Sequence, residues 1–312
     1  MTYAVFTGVY RNCPTQSVDE KLSLLNKHGI ASHFFSWTDD LSSSDADMLR
    51  DRGVYVHQYD PPFPHTTKGV SGRERQIFLA RKAIEHFSGN PILLKLRWDI
   101  EFSEELLENI TSENYLKSIE NGFLNNKVWC SFYSIQELFS VSDQAYCGHR
   151  EDLDKLVRWK FKINDRSAYD YISHDGMHLC PALIAENEKV CKLLLSTSDP
   201  LYGSMWNVSH VNHSEYLYAW AYSYYLLDKY FKTGPQGTLY FPKGDASRWE
   251  NNRAIVNYDV FLPNYQTIGK GGLPKYRVYD DVFVRRVVDG EYQDEFAENI
   301  KAMIDVNRDD WV

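Results

Sequence analysis

Apolar and polar positions in the first hundred residues switch repeatedly between a period of two and a period near 3.6. "YAVFTGVYR" (3–11) is a β-rich run broken at Gly8, as expected of a first strand whose end meets a ligand or a tight turn. "VDEKLSLLNKHG" (18–29) carries its apolar residues at helical spacing and stops at Gly29. "IASHFFSWTDD" (30–40) predicts a strand with a polar end, "DADMLRDRG" (45–53) a short helix, and "VYVHQYD" (54–60) a third strand stopped by Pro61 and Pro62. "RERQIFLARKAIEHF" (73–87) aligns Ile77, Leu79, Ala80, Ala83, Ile84 and Phe87 as one helical face. A fourth strand follows in "PILLKLRWDI" (91–100). Strands alternating with helices predict an α/β, Rossmann-type, mostly parallel sheet flanked by helices.

The fourth strand ends in charge. In "LLKLRWDIEF" (93–102) a period of two directs Arg97, Asp99 and Glu101 to one face and Trp98 and Ile100 to the other. Ligands of parallel α/β sheets bind beyond the carboxyl ends of the strands. Gly8 to Arg11, Trp37 to Asp40, Asp60, and Arg97 to Glu101 all fall at such predicted ends. The charges therefore read as the mouth of a site.

The second half is more helical and more aromatic. "KVWCSFYSI" (127–135) is strand-like, and "SDQAYCGHREDLDKLVRWKF" (142–161) reads as a glycine turn leading into a helix. "HLCPALIAENEKVCKLLL" (178–195) reads as helical after Pro181. "HSEYLYAWAYSYYLLDKYF" (213–231) predicts a long aromatic helix capped by Ser214, and a less regular tail follows. No repeat or low-complexity tract divides the chain, so a single composite domain is expected over 1–312.

Composition removes several function classes. The formal net charge of −9 argues against a nucleic-acid partner. The opening residues read as a strand and not as a signal peptide. No run approaches the roughly 18 apolar residues of a membrane span. Five scattered cysteines without a CxxC pair fit reduced thiols, so a cytoplasmic location is expected. The 22 tyrosines suit either sugar faces or an ordinary core.

Four constellations could carry chemistry. Asp99 could hold a divalent cation bridging nucleotide phosphates, with Arg97 as a bidentate phosphate contact; the alternative is a plain strand-end ion pair. Arg73, Arg75 and Gln76 open a helix, where free N–H groups favour anions, although arginines there oppose the helix dipole; the alternative is a solvated face. In "SDQAYCGHREDL" (142–153), Asp143 could act as general base or bind a sugar hydroxyl, Gly148 could admit close backbone approach, and Glu151 and Asp152 read as an ordinary charged helix start. Glu215 stands at a helix start, which favours an ionised base. The pairs His174/His178 and His210/His213 have metal-ligand spacing but no HExxH context, so no zinc site is expected from them. There is no P-loop, GxGxxG after a strand, or GxSxG elbow, and "GKGG" (269–272) is a weak phosphate-loop candidate.

Taken in order, "FTGVYRN", "SWTDD", "RERQIFLARKAI", "LLKLRWDIEF" and "SDQAYCGHREDL" resemble the WavE-type lipopolysaccharide-synthesis glycosyltransferases, which have a GT-A-like nucleotide-sugar fold. Arg75, Gln76 and Ile77 match an Arg-Gln-Ile helix start. Lys95, Arg97 and Asp99 match a Lys-x-Arg-x-Asp strand end, and Ser142, Asp143, Gly148 and Leu153 match the following junction. "SEYLYAW", with Glu215, is similar to a later helix start. The likeness runs over residues 3 to 230; Trp98 replaces a more usual small polar residue, and 154–212 has no counterpart.

The resemblance implies transfer of a sugar from a nucleotide-sugar donor to a bacterial surface glycan, lipopolysaccharide or capsule. Residues 1–125 would form the donor half and 126–312 the acceptor half with its tail. The donor would lie near Thr7, Gly8, Arg11, Trp37 and Asp39, with Arg75, Gln76 and Arg97 as further contacts and Asp99 holding Mn²⁺ or Mg²⁺. Asp143 or Glu215 would be the catalytic base if the reaction inverts. A lipid-linked glycan acceptor would bring the chain to the inner face of the cytoplasmic membrane. Two rivals stand beside this expectation: a metal-dependent nucleotidyl or phosphoryl transferase, and a noncatalytic carbohydrate-binding protein.

Overall fold

A computed structural model describes residues 1–10, 13, 16–61, 70–112, 115–131, 133–134, 139–141, 145–157, 162–163, 166–167, 179–196, 213–233, 239–240, 285, 288–291 and 295–311. Its first part follows the predicted alternation: β1 Thr2–Thr7, α1 Val18–Lys27, β2 Ala31–Trp37, α2 Ser43–Asp51, β3 Tyr55–Tyr59, α3 Val70–His86 and β4 Ile92–Leu96. Local chemistry sets the helix starts. Ser17 and Glu20 form a reciprocal capping box on α1, and the Ser42 hydroxyl accepts from the Asp45 N–H at 3.1 Å to open α2. The chain continues through β5 Glu101–Phe102, α4 Glu104–Thr111 and β6 Val128–Cys130. Next come the hairpin β7 Tyr133–Ser134 and β8 Ser140–Val141, then β9 Ala145–His149 and α5 Arg150–Val157. After the two-residue strands β10 Lys162–Ile163 and β11 Arg166–Ser167 come α6 Pro181–Ala185, α7 Glu188–Ser196, α8 His213–Tyr230, β12 Phe231–Lys232 and β13 Leu239–Tyr240.

Seven strands form one sheet in the order β12-β6-β9-β4-β1-β2-β3. β1 pairs in parallel with β2 and β4, β2 with β3, and β12 with β6; β9 alone runs antiparallel to its neighbours β4 and β6. This is the α/β, mostly parallel sheet with flanking helices that the sequence predicted. Both faces are covered. Ala4, Phe6 and Phe34 pack with Leu22 and Leu25 of α1 and Ala46 and Leu49 of α2. Val5, Phe35 and Trp37 pack with Ile77, Ala83 and Ile84 of α3 in a core that extends to α8.

Several expectations change. β4 stops at Leu96, and the next residues form a turn closed by the Ile100 N–H on the Arg97 carbonyl at 3.3 Å. The alternation nevertheless survives, because Trp98 and Ile100 are each 1% exposed while Arg97, Asp99 and Glu101 stay partly open. Gly148 is no turn. It lies inside β9, where a Cβ would stand 3.0 Å from Leu153 and 3.1 Å from Val128, so the residue lets α5 and β6 pack closely. Asp152 is buried, accepting from the Asn125 and Asn126 N–H groups at 2.7 and 3.1 Å, while Glu151 is exposed. The helical stretch after Pro181 is two helices, because Asn187 caps the second through the Val190 N–H. Ser214 lies inside α8 and does not cap it. The tail contains the helix Glu295–Asn307, packed on α8. His174, His178, His210 and the 269–272 loop lie outside the described residues.

α8 is apolar around its circumference, and Tyr218, Trp220, Tyr222, Tyr224, Tyr225 and Tyr230 are all buried. Under the far end of α3, His33, His57 and His86 come together. Burial, with smaller contributions from the neighbouring imidazoles, pushes His33 and His57 down to about 4. Among the described residues no helix is long and apolar enough to cross a membrane.

Candidate functional site at the strand ends

The carboxyl ends of β1, β2 and β4 converge beside the second turn of α3. After β1 the chain turns at Gly8, whose φ of +101° is a conformation that L side chains rarely adopt. Its N–H donates to the Phe35 carbonyl at 3.2 Å, and its own carbonyl accepts from the Ser36 hydroxyl at 3.0 Å. The turn is thus tied to β2. Thr7 pairs with Phe35, and Trp37 ends β2 on the same side of the sheet.

Arg75 ties α3 to this rim. Its side chain is 3% exposed, its guanidinium lies 5.5 Å over Trp37, and both terminal nitrogens donate to Asp39, one of them at 2.9 Å. A second carboxylate, Asp40, stands 3.1 Å from the same guanidinium. The bonds to Asp39, helped by Asp40, raise the Arg75 pKa further, so its charge is permanent. Gln76 follows on α3, partly buried. Thr38 adds a bond from its hydroxyl to Asp60 at 3.2 Å.

Three buried polar atoms at this rim have no hydrogen-bond partner among the described residues: Thr7 Oγ1, Trp37 Nε1 and Arg75 Nε. Buried polar groups are nearly always satisfied, by protein, water or ligand. Here the three stand together at one strand end.

The β4 turn carries the second charged group. Arg97 forks onto Asp99, with Nε to Oδ1 at 2.9 Å and Nη2 to Oδ2 at 2.6 Å; the two side chains are 22% and 14% exposed. Beneath the turn, Lys21 of α1 is fully buried and donates to the carbonyls of Trp98 and Ile100, the latter at 2.7 Å. Burial lowers the Lys21 pKa to about 8, against the opposing pull of Cys13, Asp99 and Glu101. Gln16 completes the clamp. Its amide exchanges two hydrogen bonds with the Phe102 backbone, at 3.0 and 3.1 Å. Glu101 then enters β5, which pairs with β13 from the distant tail. Neither Lys21 nor Gln16 was singled out from the sequence. The only hint was that an apolar helix face had a lysine where Leu22 and Leu25 pack.

Of the sequence-predicted residues, the structure therefore brings together Thr7, Gly8, Trp37, Asp39 and Arg75 at one rim, with Gln76 beside them. It places Arg97 and Asp99 as a closed pair on the neighbouring turn. Glu215 is exposed in the first turn of α8 and takes part in none of these contacts. Arg11 and Asp143 lie outside the described residues.

A cleft of about 380 Å³ opens elsewhere, between α8, Asn187 and Trp311. Its tyrosine hydroxyls are already engaged: Tyr218 accepts from Asn187 and Trp311, Tyr222 donates to the Leu183 carbonyl, and Tyr230 accepts from the Phe123 N–H. None of the residues lining this cleft carries one of the unsatisfied buried atoms found among the described residues, whereas Thr7, Trp37 and Arg75 at the strand ends do.

No family model matches the chain, and no curated protein matches it. Among solved structures, the apo form of mouse Xyloside xylosyltransferase 1 is similar over 78% of this chain and 97% of its own, at 11% identity and a TM-score of 0.35.

Proposed function

We propose that the protein is a glycosyltransferase that takes its sugar from a nucleotide-sugar donor bound at the ends of β1, β2 and β4. The observation that carries this reading is the rim itself. Two arginine–carboxylate pairs and three unsatisfied buried polar atoms stand where ligands of such sheets bind. Thr7, Gly8, Arg11, Trp37, Asp39 and Gln76 serve the donor, with Arg75 fixing Asp39 from α3. Residues 1–125 form the donor half and 126–312 the acceptor half.

The Arg97–Asp99 pair holds the two groups that a metal–diphosphate complex needs, a guanidinium for phosphate and a carboxylate for the cation. Asp99, with Glu101 two residues beyond it, offers hard oxygens of the kind Mg²⁺ and Mn²⁺ prefer. A partly exposed pair of this kind is worth about 1 kcal/mol, so exchange of partners is cheap. When bound, the cation offsets charge on the departing diphosphate. In an inverting reaction Asp143 or Glu215 accepts the proton of the acceptor hydroxyl. That oxygen bonds to the anomeric carbon, and the bond from carbon to diphosphate oxygen breaks, releasing a nucleoside diphosphate.

The resemblance to WavE-type enzymes supports a bacterial surface glycan as acceptor, lipopolysaccharide or capsule, met on a lipid carrier by peripheral association with the inner face of the membrane. The carbohydrate-binding rival would bind glycan with no need of Asp99 or a metal.

Nucleotide sugars screened by thermal shift with and without Mn²⁺ test the proposal. One nucleotide family should stabilise the chain in a metal-dependent way, by about 2.7 kcal/mol at 100 times Kd, and Asp99→Ala should abolish the metal dependence. Release of pyrophosphate instead of a nucleoside diphosphate would assign the site to nucleotidyl transfer.

A further inference from the structure

We propose that His33, His57 and His86 form a second metal site, built for a transition metal such as Zn²⁺ and independent of the donor rim. The three residues come from β2, β3 and the last position of α3. Each offers a ring nitrogen, and these nitrogens all lie within 4.8 Å of one another. His33 Nδ1 and His57 Nε2 are 3.2 Å apart. Zinc–imidazole bonds of about 2.0–2.1 Å in a tetrahedron place ligand nitrogens about 3.3 Å apart, so this pair already has the bite of a zinc chelate. His86 is exposed at the end of its helix and can close the remaining gap by turning its ring.

Packing holds the first two rings. Tyr55 stacks on His33 at 4.7 Å, and Phe35 stacks on His57 at 4.4 Å. Phe87 meets His33 edge-on at 4.9 Å. A cluster kept only for packing would be served by more phenylalanine, since burying ring nitrogens costs free energy unless they are paired. One hydrogen bond joins two of the imidazoles, whereas a metal at the same place would take a nitrogen from all three. The donor set also selects the ion. Imidazoles suit zinc, copper and nickel, while magnesium and calcium want oxygen.

The site is separate from Asp99 in place as well as chemistry. α3 runs from Arg75 at the rim back to His86, eleven residues and about 16 Å along the helix axis. A metal here would staple the end of α3 to β2 and β3 and keep a fourth position open to water.

The test uses the full, tag-free chain stripped with chelator and titrated with ZnCl₂ alone by calorimetry, followed by thermal melts. One saturable equivalent should bind with a rise in Tm, while MgCl₂ should cause none of the same heat. His86→Ala changes an exposed ring and should leave the fold intact while weakening zinc binding at least about tenfold; His57→Ala should do the same or more. Absence of a saturable equivalent in the native chain overturns the proposal. So does zinc binding of native strength in His86→Ala, which would remove the third ligand.

Discussion

Arg75 and Arg97 each grip a carboxylate at the rim of the same sheet, yet they are placed for opposite purposes. Arg75 is almost wholly buried, bridges 36 residues of chain, stacks on Trp37 and is shared by Asp39 and Asp40. Arg97 reaches only two residues along, to Asp99, and both ends of that pair see solvent. A buried charge cannot lose its partner cheaply, whereas a partly exposed pair can trade one partner for another at smaller cost. Arg75 is thus part of the frame, and Arg97 and Asp99 are parts that can move.

Arg75→Met is the sharpest way to test that contrast. It removes the guanidinium that stands 3.1 Å from Asp40, whose side chain is 8% exposed, and should cost about 3 kcal/mol in urea unfolding. A loss below about 1 kcal/mol would make the two arginines equivalent after all.

Lys21→Met comes next, at about 2 kcal/mol, because the carbonyls of Trp98 and Ile100 lose a charged donor. Its pH dependence has a definite sign. The folded-state pKa is lowered to about 8, below the 10.5 of an ordinary lysine. Between those values the unfolded chain holds a proton that the folded chain has released, so raising the pH favours folding. The native protein should therefore gain stability relative to Lys21→Met from pH 8 to 10.5, in paired urea curves. A gap that narrows over that range would contradict the clamp.

Asp99→Ala should have the smallest effect on stability, under about 1 kcal/mol, and a large one on chemistry. Turnover should fall by at least about 100-fold, equivalent to roughly 2.7 kcal/mol of barrier. A variant that is badly destabilised but still turns over would exchange the roles assigned to Asp99 and Arg75.

The first hundred residues were legible because each buried strand is an apolar run that stops at glycine, proline or a charged pair, and each helix has one apolar face. The rim was legible for the same reason, since strand ends can be counted. What escaped the sequence depends on contacts between distant segments. The end of β4 at Leu96 follows from the Arg97–Asp99 turn, which competes with strand extension. β9 was hidden because a glycine chosen for close packing against Leu153 and Val128 looks, in sequence, like a glycine chosen for a turn. His33, His57 and His86 are 24 and 29 residues apart. Only the β2–β3 register, with Phe35 opposite His57, and the return of α3 bring them together.

The single reversed strand has a consequence of parity. β9 is antiparallel to β4 on one side and to β6 on the other, so the two reversals cancel and β6 points the same way as β4. The route from β6 to β9 therefore needs no helix crossing a face of the sheet. It doubles back at the strand ends that carry the rim, and Phe139 and Val141 on that return path are buried in the core that reaches α8. A fold wired in this way ties its return path to the long aromatic helix, through the bond from the Phe139 N–H to the Ser223 hydroxyl at 2.9 Å.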